Sequence, residues 1–153
     1  MMRISTRGRY ALRAAVELAA HTDDGPVLRR DIAERQGISA DYVAQLFRPL
    51  CSAGLVEAIK GPGGGYQLAR HPATIRAGDV VRAAEGPIAV VECCIPDKTP
   101  SCDRRDNCPT YPLWMKLSEI MTEFLDSVTL KDLCDDTEPF EPLGPEQSLE
   151  EEG

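Results

Sequence analysis

Cys93, Cys94, Cys102 and Cys108 crowd one short stretch of a 153-residue chain that has six cysteines in all. Thiolates are soft donors suited to iron-sulfur clusters and to zinc, and closely spaced ones on a pliable segment can wrap an inorganic centre. No apolar run approaches the roughly 18 to 20 residues that span a bilayer, and no signal-peptide apolar core follows residues 1–9. A cytoplasmic protein without a membrane partner is therefore expected. Cytoplasmic thiols stay reduced, so the crowding points to metal or redox chemistry rather than to structural disulfides. Bound iron, bound zinc and unligated thiols all remain open from the residues alone. Cys51 reads as a small packed apolar residue, Cys134 as a surface thiol, and His21 and His71 as solvated side chains remote from the cysteines.

A second set of residues is suited to reading a duplex. A recognition helix presents small, polar, hydrogen-bonding groups at its start and packs its other face on the domain. Ser39, Ala40, Asp41, Tyr42 and Gln45 meet the first need, and Val43, Leu46, Phe47 and Leu50 the second. Gln45 is the candidate base contact and Arg48 a phosphate contact, with Arg7 and Arg29 counted among the DNA-binding residues. Lys60, Gly61, Pro62, Gly63, Gly64, Gly65 and Tyr66 place a cation beside a slim turn able to enter a minor groove about 6 Å wide. A phosphate loop is a poor reading of those glycines, because Tyr66 and Gln67 stand where Lys-Ser or Lys-Thr is required. The formal charge of -8 argues against nucleic acid only until it is divided. Residues 1–82 carry 12 Lys and Arg against 8 Asp and Glu, whereas residues 83–153 carry 5 against 17. The basic half is the one with the reading helix, and positive potential is what a DNA-binding surface needs.

These residues need elements to hold them. Apolar residues recur at helical spacing over residues 6–21, and Asp24-Gly25-Pro26 breaks the chain. Residues 28–36 read as a short helix, Gly37 tolerates positive φ, and Ser39 can cap a third helix running to about Ser52. Residues 55–59 and 66–68 form an antiparallel wing across the glycines. A short helix is expected over residues 79–84. Residues 93–108 are loop, with Pro96, Pro100 and no hydrophobic period. Leu113, Trp114, Leu117, Ile120, Met121, Phe124, Leu125 and Val128 lie on a long helix over residues 112–128, with Pro112 in its first turn and an apolar face in want of a partner. A short helix follows over residues 129–133, and the acidic tail is expected to be disordered. The expected fold is mainly α with a small β-wing. It divides into a winged helix-turn-helix domain (1–84), a cysteine-rich loop (85–111), a dimerisation helix with a short following helix (112–134) and the tail (135–153).

The segments Arg7-Gly8-Arg9-Tyr10-Ala11, residues 31–39, Gln45-Leu46-Phe47 and residues 61–66, followed by the cysteine loop and Leu113-Trp114, resemble the Rrf family of winged-helix transcription regulators. The match is with its iron-sulfur-carrying members above all, and it runs over residues 2–133. The resemblance implies a homodimer with crossed long helices and an iron-sulfur cluster held by three cysteines of the loop. Cys102 and Cys108 match the family spacing. Counting on from the wing favours Cys93 as the first ligand, while the spacing before Cys102 favours Cys94. Tyr111 stands where the family's iron-sulfur regulator has a histidine ligand, and Arg9 where its nitric-oxide sensor has a carboxylate. Ala44 replaces an acidic residue of the reading helix, which relaxes site choice. The cluster is 2Fe-2S or 4Fe-4S, with 2Fe-2S favoured.

A homodimeric regulator, repressor or activator, is the expected function. Its binding to double-stranded promoter DNA would follow iron-sulfur status, redox state or nitric oxide, with RNA polymerase as a further partner. A zinc- or thiol-based, cluster-free regulator acting through a protein partner is the alternative, and an electron carrier is a third reading that leaves the wing without purpose. Catalysis is not expected, since no paired carboxylates, nucleophile-base arrangement or complete nucleotide loop is present.

Overall fold

A computed structural model describes residues 4–98 and 102–135. Its first helix, α1 (Thr6–Ala20), starts where the Ser5 hydroxyl accepts the Gly8 N–H at 3.3 Å. It buries Ala11, Ala14, Ala15 and Leu18, and these mostly small residues let neighbours approach closely from several sides. After Pro26, α2 (Arg29–Gln36) ends at Gly37, whose φ of 67° is open to glycine with little cost. Then α3 (Ala40–Ser52) begins with the Tyr42 N–H donating to the Ser39 hydroxyl at 3.1 Å, the expected N-cap. Val43, Leu46, Phe47 and Leu50 of α3 are all 1% exposed or less, so one face of the helix is fully committed to the core.

The wing comprises β1 (Val56–Ile59) and β2 (Gly65–Leu68), antiparallel, with Val56 opposite Leu68 and Ile59 opposite Gly65. The far edge of β2 is also paired, which the sequence does not announce. Val27 and Tyr66 exchange backbone hydrogen bonds at 2.8 and 2.9 Å. That contact explains one glycine, because a Cβ on Gly65 would lie 2.0 Å from the Val27 carbonyl oxygen.

Next comes α4 (Ala77–Glu85), which starts two residues before the expected residues 79–84, where the Asp79 carboxylate accepts the Arg76 N–H at 3.0 Å and caps the helix. Among its described residues the cysteine stretch is irregular as expected, except for single 3-10 turns at Glu92–Cys94 and Arg105–Asn107. The long helix, α5 (Tyr111–Ser127), is followed by α6 (Leu130–Asp135). Residues 75–77 and 128–130 pair across the chain, with the Ala77 N–H on the Val128 carbonyl at 2.8 Å and the Leu130 N–H on that of Ile75 at 2.9 Å. Val128 is thereby 7% exposed within its own chain, apart from the α5 stripe to which its spacing assigned it. The last helix, α6, packs on α1, with Leu130 fully buried. Most of the acidic tail, residues 136–153, lies outside the described residues. No described helix is long and apolar enough to cross a membrane.

Candidate nucleic-acid interface and cysteine segment

Ser39, Asp41, Gln45 and Arg48 are exposed on the side of α3 opposite its buried face. Ala40 and Tyr42 are half-buried, and the Tyr42 ring stands edge-on to Tyr10 with centroids 6.1 Å apart. The wing tip, Lys60, Gly61, Pro62 and Gly63, is exposed, while Gly64 is buried where a Cβ would lie 2.3 Å from the Ile59 carbonyl oxygen. Glycine is thus required there to close the turn, a constraint separate from fitting a groove. Tyr66 is not at the tip: its ring packs on Phe47 at 4.7 Å between centroids, so it pins the base of the wing to the core.

One groove is lined by Leu28, Arg29, Arg30, Ala40 and Gly63 to Gly65. It brings the starts of α2 and α3 beside the wing, with Arg29 and Arg30 exposed. Arg30 was not among the residues singled out by sequence, although its signal was simply to follow Arg29. Arg7 lines a second groove with Arg9, Tyr42 and Glu85, next to the beginning of α3. Glu85 fixes that corner by accepting the Ser5 N–H at 2.7 Å.

The cysteine segment is held more sparingly. Cys94 is 6% exposed, in the Glu92–Cys94 turn that packs on α5. Burial, and then the neighbouring Cys93, push the Cys94 thiol above the ordinary range. Cys93 is half-buried and Cys102 exposed. Cys108 is pulled the other way: its sulfur lies 3.3 Å from the Thr110 hydroxyl, and hydrogen bonds from that residue hold its thiol below the ordinary range. Among the described residues no three His, Cys, Asp or Glu side chains converge closely enough to hold a metal ion. The Tyr111 hydroxyl accepts from the Arg105 guanidinium at 2.6 Å, and that guanidinium also lies over its ring, 4.9 Å from the centroid.

Two cysteines lie elsewhere. Cys51 is half-buried against the core, as expected of a packed residue. Cys134 is not a surface thiol: it packs at the core edge and donates to the Val16 carbonyl at 3.3 Å, because α6 folds back onto α1. Both thiols are pushed up by burial. His21 contacts Asp24 at 3.2 Å and Arg35 at 3.1 Å, and His71 accepts the Ala73 N–H at 3.1 Å, so each serves local structure.

Along α5, Leu113 is 58% exposed and Ile120 and Phe124 43%, whereas Trp114, Leu117, Met121 and Leu125 are half-buried. Leu117 and Met121 line an apolar groove with Ile4, Val81, Ile88 and Val90, and Leu125 lines a neighbouring one with Leu12 and Val81. The C-terminal end of α5 is fastened to α4 by ions. Arg82 donates to both Asp126 carboxylate oxygens, at 2.7 and 3.2 Å, and to Asp79 at 3.1 Å. These bonds, that to Asp126 foremost, raise the Arg82 pKa.

Residues 4–136 match the Rrf2 family model, described as "Iron-dependent Transcriptional regulator". The HTH-type transcriptional regulator IscR of Enterobacter sp. (strain 638) is 39% identical over 149 residues, covering 97% of this chain and 90% of that relative. IscR of Pectobacterium atrosepticum is 41% identical over 137 residues, covering 90% and 82% respectively. Among solved structures, CymR (YrzC), titled the global cysteine regulator of B. subtilis, superposes with a TM-score of 0.72 at 41% identity, covering 90% of this chain and 100% of that one. T. potens IscR superposes with a TM-score of 0.71 at 38% identity, covering 89% and 88%.

Proposed function

The chain belongs to the Rrf2 family of DNA-binding transcriptional regulators, proteins that are not enzymes, and on that footing we propose that it works as a homodimer whose grip on promoter DNA is set by an iron-sulfur cluster on the cysteine segment. The observation that carries this reading is continuity. Cys108 lies three residues before α5, the helix that leaves Leu113 and Ile120 exposed, so whatever orders the thiols acts directly on the helix that seeks a partner.

Two copies joined through the Leu113, Trp114, Leu117, Ile120, Met121, Phe124 and Leu125 face would present two reading helices to half-sites about 34–36 Å apart. In each head, Gln45 meets base edges. Arg7, Arg29, Arg48 and Lys60 neutralise phosphates, which fixes position without reading sequence. The exposed Lys60-Gly61-Pro62 tip addresses the minor groove.

The donor set fits thiolate-held iron in its chemistry: several thiols occupy one irregular segment, and Cys108 is already biased toward the thiolate. Cys93, Cys102 and Cys108 would hold the cluster, with Cys94 the alternative to Cys93. The buried position of Cys94 favours Cys93. When bound, a cluster of this kind, 2Fe-2S being favoured, supplies a centre sensitive to iron supply, oxidants and nitric oxide. A coupling of about 1–3 kcal/mol between segment and head corresponds to a roughly 5- to 150-fold change in DNA affinity.

A cluster-free thiol regulator acting through a protein partner is the second reading. It is favoured by the adjacency of Cys93 and Cys94 in the chain, by the lack of any three converging donors among the described residues, and by the likeness to the solved structure of a cysteine regulator. Anaerobic purification decides between them. The cluster reading expects coloured protein with iron and inorganic sulfide, whose Mössbauer spectrum identifies the cluster type. Colourless protein free of both would leave the thiol reading. Gel shifts on the protein's own promoter region test DNA binding in either case.

A further inference from the structure

Ser118 sits near the middle of α5 and is 6% exposed, a buried hydroxyl beneath the cysteine segment. It accepts the Val90 N–H at 3.0 Å and donates to the Trp114 carbonyl at 2.8 Å. The Glu92–Cys94 turn, which carries the buried Cys94, packs on α5. One side chain therefore fastens the approach to the cysteines to the helix, two residues before their first turn. Farther along α5, Asp126 holds Arg82 of α4 through both carboxylate oxygens. The helices touch closely there, since a Cβ on Gly78 would lie 1.9 Å from the Asp126 oxygen. In turn α4 packs on α1 and on the reading helix α3. Between the two fastenings runs a rod of about 12 Å of continuous helix.

We propose that Ser118 is a positioning residue that passes the state of the cysteine segment to α5, and that the Arg82–Asp126 pair delivers it to α4 and the reading helix. A buried hydroxyl serving two backbone partners is a stiff connection, because breaking it strands polar groups away from water. A change in the Glu92–Cys94 turn is thereby transmitted to α5 rather than absorbed by the surrounding loop. The inference rests on the proposal that the segment's state governs DNA binding, and its test separates the two.

The ratio of DNA dissociation constants between two states of the segment is measured for the wild type, Ser118→Ala, Ser118→Thr and Asp126→Asn. The states are cluster-loaded against cluster-free protein and, for cluster-free protein, unmodified thiols against thiols alkylated with iodoacetamide and mapped by mass spectrometry. The wild-type ratio is expected within the roughly 5- to 150-fold range of allosteric couplings. Ser118→Ala is expected to bring it toward one, with the visible spectrum and cluster-free affinity kept, and Ser118→Thr to restore it. Asp126→Asn, which breaks the other end of the rod, is expected to act as Ser118→Ala does and serves if that variant fails to fold. An unchanged ratio in the alanine and asparagine variants, or an equal loss of affinity in both states, would overturn the relay. Wild-type protein without iron or sulfide would refute the cluster reading alone, and the alkylation arm would then decide the relay.

Discussion

Between Ile4 and Glu85 the chain, with Leu130 of α6 added, closes a core in which Ile32, Val43, Phe47, Leu50, Ile75 and Val80 are wholly buried. Between Gly86 and Thr110, among the described residues, Cys94 is the only buried side chain. The first region has burial enough to set its own geometry. The second has little to offset the entropy of ordering, so its geometry is open to whatever the thiols bind. The proposed function needs this division, because a head that reads DNA must hold its shape while a segment that registered a signal would have to be able to change it.

The largest contrast to be expected is in stability. Phe47→Ala removes a fully buried ring packed on Tyr66 and is expected to cost about 3–5 kcal/mol, measured by denaturant unfolding. Cys102→Ser alters an exposed side chain and is expected to stay within about 0.5 kcal/mol of wild type while lowering iron retention. If the serine variant unfolded as readily as the alanine one, the two regions would not be built on different terms.

Within the head, Gly65→Ala forces a Cβ against the Val27 carbonyl and is expected to cost about 2 kcal/mol, with DNA affinity lost as the wing detaches from Val27. Thermal unfolding and gel shifts together check it. Wild-type stability would mean that the Val27 contact is dispensable.

What the residues disclosed in advance follows the same division. The α3 stripe, its Ser39 cap, the Gly37 stop and the wing were legible because each is a local pattern of period or turn chemistry. The Val27–Tyr66 pairing was not, since it joins residues far apart, and Tyr66 accordingly read as part of the wing's reading surface when its ring faces Phe47. Ser118 and the Arg82–Asp126 pair escaped for the same reason: their bonds span 28 and 44 residues, and nothing local marks a serine within an amphipathic helix. Counting from the wing and the spacing before Cys102 pointed to different first ligands, Cys93 and Cys94, and packing on α5 now separates the buried thiol from its half-buried neighbour.

At the DNA surface the expected effects are smaller and differ in kind. Gln45→Ala is expected to lose about 1–2 kcal/mol of discrimination at one base pair while leaving binding to other sequences nearly unchanged. Lys60→Ala is expected to weaken binding to all sequences alike and to lower the salt slope by about one phosphate contact. Competition gel shifts over a set of single-base operator variants at several salt concentrations distinguish the two patterns. Identical behaviour of the two variants would break the assignment of reading to α3 and of anchoring to the wing.

The finest test compares thiols. Hydrogen bonds from Thr110 favour the Cys108 thiolate, whereas burial favours the neutral thiols of Cys51 and Cys134. Iodoacetamide reacts with the thiolate, so the rate at each site rises with pH through that site's own pKa. A depressed pKa places the Cys108 rise at lower pH than an ordinary thiol, and the raised pKa values place those of Cys51 and Cys134 higher. Mass-resolved alkylation of cluster-free protein across a pH series is therefore expected to label Cys108 first. Thr110→Val, which keeps the shape and removes the hydroxyl, is expected to shift the Cys108 profile upward and leave the other two in place. If all three sites rose together, Cys108 would have no bias toward the thiolate, and only the crowding of thiols would set the segment apart from Cys51 and Cys134.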